Sequence, residues 1–245
     1  MTNLSDVVLL LADTVRSRAY VDALRHAGFR FDRALVVRTP AGSRWGQASE
    51  VEMGNTDFGE LFVPDVNGDL ERGCRAVCGG IDIMDTGSIN APEVVDALSE
   101  LAPRLVVFSG FGGELVHSEV LNAAGPLLHL HAGWLPDYRG STTLYYSYLV
   151  DGTMGASAIL LSEEIDAGAV VRRKRYPAPP PGTNVDYVYD SVLRADLLIE
   201  TLSSYDPGTS RFMSTESVDP ERGARDYYIV HPLLKHIALN ELDCR

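Results

Sequence analysis

Residues 127–140 read LLHLHAGWLPDYRG, and this stretch decides how the central part of the chain is interpreted. It opens with an apolar run of strand length that carries two histidines. Side chains two residues apart on a strand lie on the same face, so His129 and His131 are predicted to point the same way. In an open α/β sheet, ligands bind at the carboxyl ends of the strands, which is where this pair would lie.

The residues alone leave three interpretations of the two histidines. They could be strand-end polar residues satisfied by backbone hydrogen bonds, which composition alone favours. They could ligate zinc, because two histidines on one face suit that metal. They could also form an acid–base and oxyanion-stabilising pair. No metal site is predicted, because no third ligand is evident nearby and no HExxH or CxxC motif accompanies the pair.

A second polar motif, LSEEIDAG, occupies residues 161–168. It lies between two predicted strands, at 156–161 and 169–173, and is therefore expected to be a loop. The tripeptide Asp-Ala-Gly is by itself an ordinary turn signal. Asp166 gains a functional interpretation only if the fold brings it to His131.

The chain around these motifs alternates between strand and helix patterns. An apolar run at 6–11, a helical stretch at 16–27 and a strand at 33–37 predict a β-α-β opening. A later helix at 91–101 has Asn90 as its predicted N-cap. We therefore predict an α/β fold with a Rossmann-like, mostly parallel sheet, helices on both of its faces, and a small helical carboxy-terminal extension.

The proline-rich sequence PAPPPG at 177–182 is the best candidate for a boundary. It divides a predicted catalytic core at 1–176 from a carboxy-terminal helical extension at 177–245 that packs on the core. The longest amphipathic helix is predicted at 186–204. Residues 39–68 are poorly periodic and are predicted to be loop.

Composition narrows the range of partners. The 245 residues include 21 Lys and Arg against 34 Asp and Glu, which gives a net charge of −13. Such a surface repels polyphosphates, so we expect no nucleic acid partner and favour a small-molecule amine. No apolar run approaches the roughly 20 residues that span a bilayer, so no membrane partner is expected. The three cysteines, an odd and low number, indicate a reducing compartment, and we expect a cytoplasmic protein.

The order and spacing of the two motifs resemble the formyltransferase family, which includes the glycinamide ribonucleotide, methionyl-tRNA and nucleotide-sugar formyltransferases. That family carries Asn-x-His-Pro-Ser-x-Leu-Pro-x-Tyr-Arg-Gly and, after a helix and a strand, a loop that ends in Asp-x-Gly. Here the two parts read HLHAGWLPDYRG and EEIDAG, and the resemblance extends over about residues 104–176. It implies a one-carbon transferase that moves a formyl group from 10-formyltetrahydrofolate to a primary amine. The expected acceptor is a nucleotide-linked amino sugar, or an amino acid or amine of a secondary pathway.

The resemblance also implies roles for individual residues. His131 and Asp166 match the catalytic histidine and aspartate of the family, and His129 stands where the family has the Asn that contacts the formyl oxygen. Leu135-Pro136 matches a dipeptide that is cis in the family. The residues expected to hold the folate are Phe108, Ser109, Gly110, Phe111, Gly112, Gly113 and Leu115 in one segment, and Glu163, Glu164 and Ile165 in the other.

The acceptor is expected to contact Gly133, Arg139, Ser141 and Thr142. Arg139 and the amino terminus of the helix predicted at 142–150 could meet an anionic group. The alternative is that Ser141 or Thr142 only caps that helix. A dense cluster at 227–236 is expected to dock on the core or on a second copy, so a homodimer is considered.

Other functions remain open at this point. A formyltetrahydrofolate deformylase would use the same residues with water in place of the amine. A non-catalytic folate or sugar binder would account for the change from Asn to His129. The SGFGG sequence at 109–113 lacks the full G-x-G-x-x-G pattern, so a dinucleotide cofactor is not expected.

Overall fold

The structure is a computed structural model that describes residues 1–39, 50–219 and 223–244. Part of the loop predicted at 39–68 lies outside the described residues. Seven α-helices are described: α1 (Val15–His26), α2 (Leu70–Val77), α3 (Pro92–Leu101), α4 (Ser118–Ala123), α5 (Thr143–Asp151), α6 (Asp190–Ser203) and α7 (Pro232–Asp243). A π-helical turn at Val185–Tyr189 leads into α6.

The longer described strands are β1 (Thr2–Ala12), β2 (Phe29–Val37), β3 (Cys78–Met84), β4 (Leu105–Ser109), β5 (Leu127–His131), β7 (Met154–Leu160) and β8 (Ala169–Tyr176). Short two-residue strands are β6 (Arg139–Gly140), β9 (Tyr205–Asp206), β10 (Arg211–Phe212) and β11 (Asp226–Tyr227).

The longer strands form one sheet with the order β3-β2-β1-β4-β5-β7-β8. The pairs β1–β2, β2–β3, β1–β4 and β4–β5 are parallel, and the pair β7–β8 is antiparallel. The mostly parallel sheet confirms the predicted α/β fold. Helices α6 and α7 confirm the helical piece at the carboxy-terminal end.

The chain divides into two compact units. Unit 1 comprises Met1–Val51, Pro64–His129 and Tyr205–Arg211, and unit 2 comprises Glu52–Val63, Leu130–Ser204 and Phe212–Arg245. The predicted boundary at residue 176 stays a prediction.

The core of unit 1 is built around β1, which pairs with β2 on one side and β4 on the other. Its apolar run has almost no exposed surface, as is usual for a parallel strand covered on both faces. Helix α1 begins where Thr14 accepts a hydrogen bond from the amide of Ser17. The buried apolar strand and the capped helix are both local features, which is why the sequence predicted the β-α-β opening.

The core of unit 2 includes β7, β8 and α6, which pack together. Within the amphipathic stretch predicted at 186–204, one side is buried and consists of Val188, in the preceding π-helical turn, and of Val192, Ala195, Leu198 and Leu202 in α6. Within the described residues, no helix has the length and apolar character needed to cross a membrane.

The predicted cap of the helix at 91–101 is wrong. Ala91 occupies the N-cap position of α3 and makes no side-chain hydrogen bond there. The side chain of Asn90 instead bonds to another loop. Its Nδ2 donates to the carbonyl of Leu115 and its Oδ1 accepts from the backbone amide of His117, both at 2.8 Å. A loop distant in sequence therefore competes successfully for a polar side chain that local pattern assigned to the helix.

Candidate active site

His131 is the last residue of β5, and only 4% of its surface is exposed. Its Nε2 lies 2.7 Å from the carbonyl oxygen of Tyr138. Its Nδ1 lies 3.3 Å from Oδ2 of Asp166. Both ring nitrogens therefore face oxygen atoms within unit 2, and one of these belongs to a carboxylate.

Asp166 comes from the loop between β7 and β8, so the two motifs of the sequence meet in space. Its backbone has a φ of 52°, in the left-handed region that Asp adopts more readily than most residues. Its Oδ2 also accepts a hydrogen bond of 2.8 Å from the amide of Gly140. One carboxylate oxygen is thus fixed between a backbone donor and the imidazole of His131.

Gly140, of the Arg-Gly pair, lies where no side chain would fit. Its φ is 97°, and a Cβ there would lie 2.1 Å from the carbonyl oxygen of Tyr227. The preceding Arg139 is buried, with 8% of its surface exposed. Its backbone amide donates to the carbonyl of Arg225 at 2.9 Å. The backbone of the Arg-Gly pair is therefore in contact with the backbone of residues 225–227.

Gly133 is packed against the same imidazole. A Cβ at this position would lie 2.5 Å from Nε2 of His131 and 2.6 Å from the carbonyl oxygen of Tyr138. Ser157 fixes the turn, since its hydroxyl donates to the carbonyl of Gly133 at 2.6 Å. A side chain at position 133 would therefore collide with the imidazole and with the backbone of Tyr138. The peptide bond between Leu135 and Pro136 is cis, as the resemblance implied.

Thr142 occupies the N-cap position of α5, but the predicted capping hydrogen bond is absent there. Its backbone is left-handed, with a φ of 53°. The hydroxyl donates to the carbonyl of Ser141 at 2.8 Å and accepts from the amide of Val230 at 2.7 Å. Ser141 is exposed, so its side chain is accessible to a ligand.

The pKa of His131 is lowered, mainly because burial disfavours the charged imidazolium. The carboxylate of Asp166 acts in the opposite direction, and the positive charge of Arg194 lowers the pKa further. Arg194 is held by Asp190 at 3.0 Å and by the carbonyl of Leu130. The sequence pattern around Arg194 did not indicate that its charge acts on His131.

Unit 1 contains His129 and the first of the two segments predicted to hold the folate. The rings of Phe108 and His129 lie 5.8 Å apart. Ser109 is buried, and its hydroxyl accepts from Ser17 at 2.9 Å and from Arg16 at 3.3 Å. The side chain of Ser109 is therefore engaged in the core.

The segments predicted to hold the folate carry exposed apolar side chains. Leu115, in unit 1, is 58% exposed, and Ile165, in unit 2, is 57% exposed. In unit 1, Gly112 and Gly113 are exposed, Phe111 is half-buried and Gly110 is buried. In unit 2, Glu163 and Glu164 are exposed. The assignment of these residues to folate binding stays a prediction.

Cysteines and metal ligands do not form a further cluster in the described parts of the chain. No group of three or more His, Cys, Asp or Glu side chains there could hold a metal ion. Cys74 is buried, whereas Cys78 is only partly buried.

This fold and this His–carboxylate pair define an α/β protein with a dyad at the end of a parallel strand. The chain belongs to the formyl transferase family, whose model matches residues 62–200, more than half of the chain. A methionyl-tRNA formyltransferase from Geotalea daltonii is 31% identical over 133 residues, which cover 53% of this chain and 42% of that protein. One from Finegoldia magna is 27% identical over 171 residues, which cover 68% and 53%. The chain thus spans about half the length of these curated relatives or less.

Solved structures of the family share the fold. A sugar N-formyltransferase from a Shewanella species aligns with a TM-score of 0.53 and 18% identity, over 95% of this chain and 86% of that one. The phosphoribosylglycinamide formyltransferase of Streptococcus pneumoniae aligns with a TM-score of 0.54 and 13% identity, over 83% and 98%. At these identities the likeness concerns the fold alone.

Proposed function

We propose that this chain is an N-formyltransferase that moves a formyl group from 10-formyltetrahydrofolate to the primary amine of a small molecule. The observation that carries the proposal is the 3.3 Å contact between Nδ1 of His131 and Oδ2 of Asp166. An amine that attacks a formyl carbon must lose a proton, and a buried imidazole paired with a carboxylate is suited to accept it. Membership of the formyl transferase family supports the same reaction class.

His131, Asp166 and Gly140 have separate roles in this proposal. Nε2 of His131 donates to the carbonyl of Tyr138, which leaves Nδ1 as the basic nitrogen. When the dyad takes up the proton of the amine, the imidazolium is stabilised by Asp166 at 3.3 Å. The amide of Gly140 keeps that carboxylate in place throughout. We do not assign a protonated His131 as a hydrogen-bond donor to the formyl oxygen, because both of its ring nitrogens already face acceptors.

His129 remains the proposed hydrogen-bond donor to the formyl oxygen. An imidazole N–H can replace the amide N–H of the family Asn at such a position. A donor preorganised at the developing oxyanion typically contributes a few kcal/mol.

One feature of the described residues supports a folate donor. The loop that carries Asp166 also exposes a large apolar side chain, Ile165, which we assign to contact with the folate. The folate, when bound, supplies the formyl group for transfer.

The proposed acceptor is a nucleotide-linked amino sugar, with an amino acid or amine of a secondary pathway as the next choice. The net charge of −13 opposes a polyanion such as tRNA. A cytoplasmic location belongs to the same proposal, because three cysteines, an odd and low number, fit a reducing compartment. The sugar N-formyltransferase among the structural neighbours supports the choice of acceptor by analogy of fold.

The test is a mass-spectrometric assay with 10-formyltetrahydrofolate and separate acceptors. The panel contains nucleotide-linked amino sugars, amino acids, initiator methionyl-tRNA and a control without amine. Formation of formylated amine and tetrahydrofolate in equal amounts, lost in His131→Gln, is the expected result. Formate release without an amine would instead establish the deformylase reaction. Absence of turnover with every acceptor, despite donor binding, would leave only a folate-binding protein and overturn the proposal.

A further inference from the structure

A segment far along the chain is attached to the turn that carries the dyad's supports. Strand β11 (Asp226–Tyr227) pairs in parallel with β6 (Arg139–Gly140). The amide of Arg139 donates to the carbonyl of Arg225, and that of Ser141 donates to the carbonyl of Tyr227, both at 2.9 Å. The backbone on either side of Gly140 is therefore fixed by residues more than 80 positions away in the sequence.

The side chain of Tyr227 reaches the second support of the dyad. Its ring stacks on Tyr138, with centroids 5.3 Å apart and an angle of 23° between planes. It also contacts the ring of Tyr146, at 4.5 Å and 37°. Tyr138 is the residue whose carbonyl accepts from Nε2 of His131. Contact with Tyr227 therefore bears on the position of His131.

The same residue bears on Asp166. The carbonyl of Tyr227 lies so near Gly140 that a Cβ there would be 2.1 Å from its oxygen. The amide of Gly140 in turn donates to Oδ2 of Asp166. Tyr227 thus contacts both residues whose backbone groups hold the dyad, Tyr138 through its ring and Gly140 through its own backbone.

We propose that residues 225–230 form a strap that sets the geometry of the His131–Asp166 dyad, with Tyr227 as its positioning residue. The far end of the strap is fixed by the amide of Val230, which donates to the hydroxyl of Thr142. Displacement of the Tyr227 ring would let Tyr138 and Gly140 shift together. A shift of about 1 Å at reacting groups can cost about a hundredfold in rate. The expected loss of rate rests on the proposed function, whereas the expected change in the geometry of the dyad does not.

The test compares Tyr227→Ala with Tyr227→Phe, which keeps the stacked ring, and with Tyr228→Ala as a control. Tyr228 is the next residue and is 83% exposed. We expect Tyr227→Ala to lower kcat at least tenfold while KM changes less than twofold, whereas the other two variants behave like wild type. Should Tyr227→Ala fail to fold, Tyr227→Leu preserves apolar burial and serves in its place.

A second readout does not depend on formyl transfer. The chain has six histidines, and the imidazole signals of His131 can be assigned in 15N-histidine spectra by their loss in His131→Gln. We expect the His131 titration and tautomer signals to change in Tyr227→Ala and to stay unchanged in Tyr228→Ala. If wild type transfers no formyl group but this change occurs, the proposed function fails and the strap stands. Unchanged His131 signals with a lowered Tm would show only a structural contact and would overturn the strap.

Discussion

The amide nitrogen of Gly140 lies 2.8 Å from Oδ2 of Asp166, so the Arg-Gly turn of one motif holds the carboxylate of the other. That oxygen is the one that faces Nδ1 of His131. The two motifs, 26 positions apart at these residues, are therefore joined by a backbone donor as well as by the dyad itself. The same backbone donor therefore keeps the carboxylate of Asp166 facing the imidazole.

Removal of either dyad member should abolish most turnover. We expect His131→Gln and Asp166→Asn each to lower kcat about a hundredfold or more, since each loses the proton acceptor or the charge that stabilises it. The Tm should change by about 5 °C at most. The measurement is single-turnover formyl transfer together with thermal unfolding.

His236→Gln provides a matched control, because His236 is an exposed histidine of α7 whose ring contacts Asn240. It should keep wild-type kcat. Wild-type turnover in both dyad variants would contradict the assignment of the site.

Activity should persist to lower pH than an exposed histidine would allow. Burial lowers the pKa of His131, so the neutral base remains available below the ordinary value of about 6.5. Activity is then lost only as the pH falls through the lowered pKa. Arg194→Met removes a cation that lowers this pKa, so the acid limb of kcat/KM should move to higher pH.

The pH profiles of wild type and Arg194→Met test this directly. Arg172→Met is the control, since Arg172 pairs with Glu200 instead. An acid limb that stays in place in Arg194→Met, or moves to lower pH, would refute the effect of this charge on His131.

A side chain at position 133 should damage the site sterically. In Gly133→Ala the new Cβ meets Nε2 of His131 at 2.5 Å and the Tyr138 carbonyl at 2.6 Å, and backbone atoms cannot yield cheaply. Overpacking of this kind costs about 1–3 kcal/mol of stability. We expect a lowered Tm and a kcat reduced at least tenfold. Gly208→Ala, which meets only the carboxylate end of Asp206, should have little effect on either quantity.

Apolar periodicity, a local signal, predicted the β-α-β opening and the strands on either side of the Asp166 loop. The meeting of His131 with Asp166 was implied by the resemblance of the two-part motif to the family. The sequence did not predict that Gly140 and Tyr138 hold the dyad, since these contacts use backbone groups that every residue carries. The pairing of Tyr227 with Gly140 joins distant residues, and no local pattern specifies such a register. Asn90 shows the converse, because a strong local cap signal gave way to partners in another loop.

The loop residue Ile165 offers a test of the donor site that is separate from the dyad. Its side chain is 57% exposed, so its truncation should leave the Tm nearly unchanged. If it covers the bound folate, Ile165→Ala loses about 1 kcal/mol of apolar burial in the complex, which corresponds to about a fivefold higher KM for the donor. The value of kcat should hold, because a contact made equally in the ground state and the transition state affects KM alone. Val150→Ala, at an apolar position that is 62% exposed, should leave both constants unchanged. A donor KM that is equal in wild type and Ile165→Ala would remove this loop from the folate site, while the dyad would still be judged by its own variants.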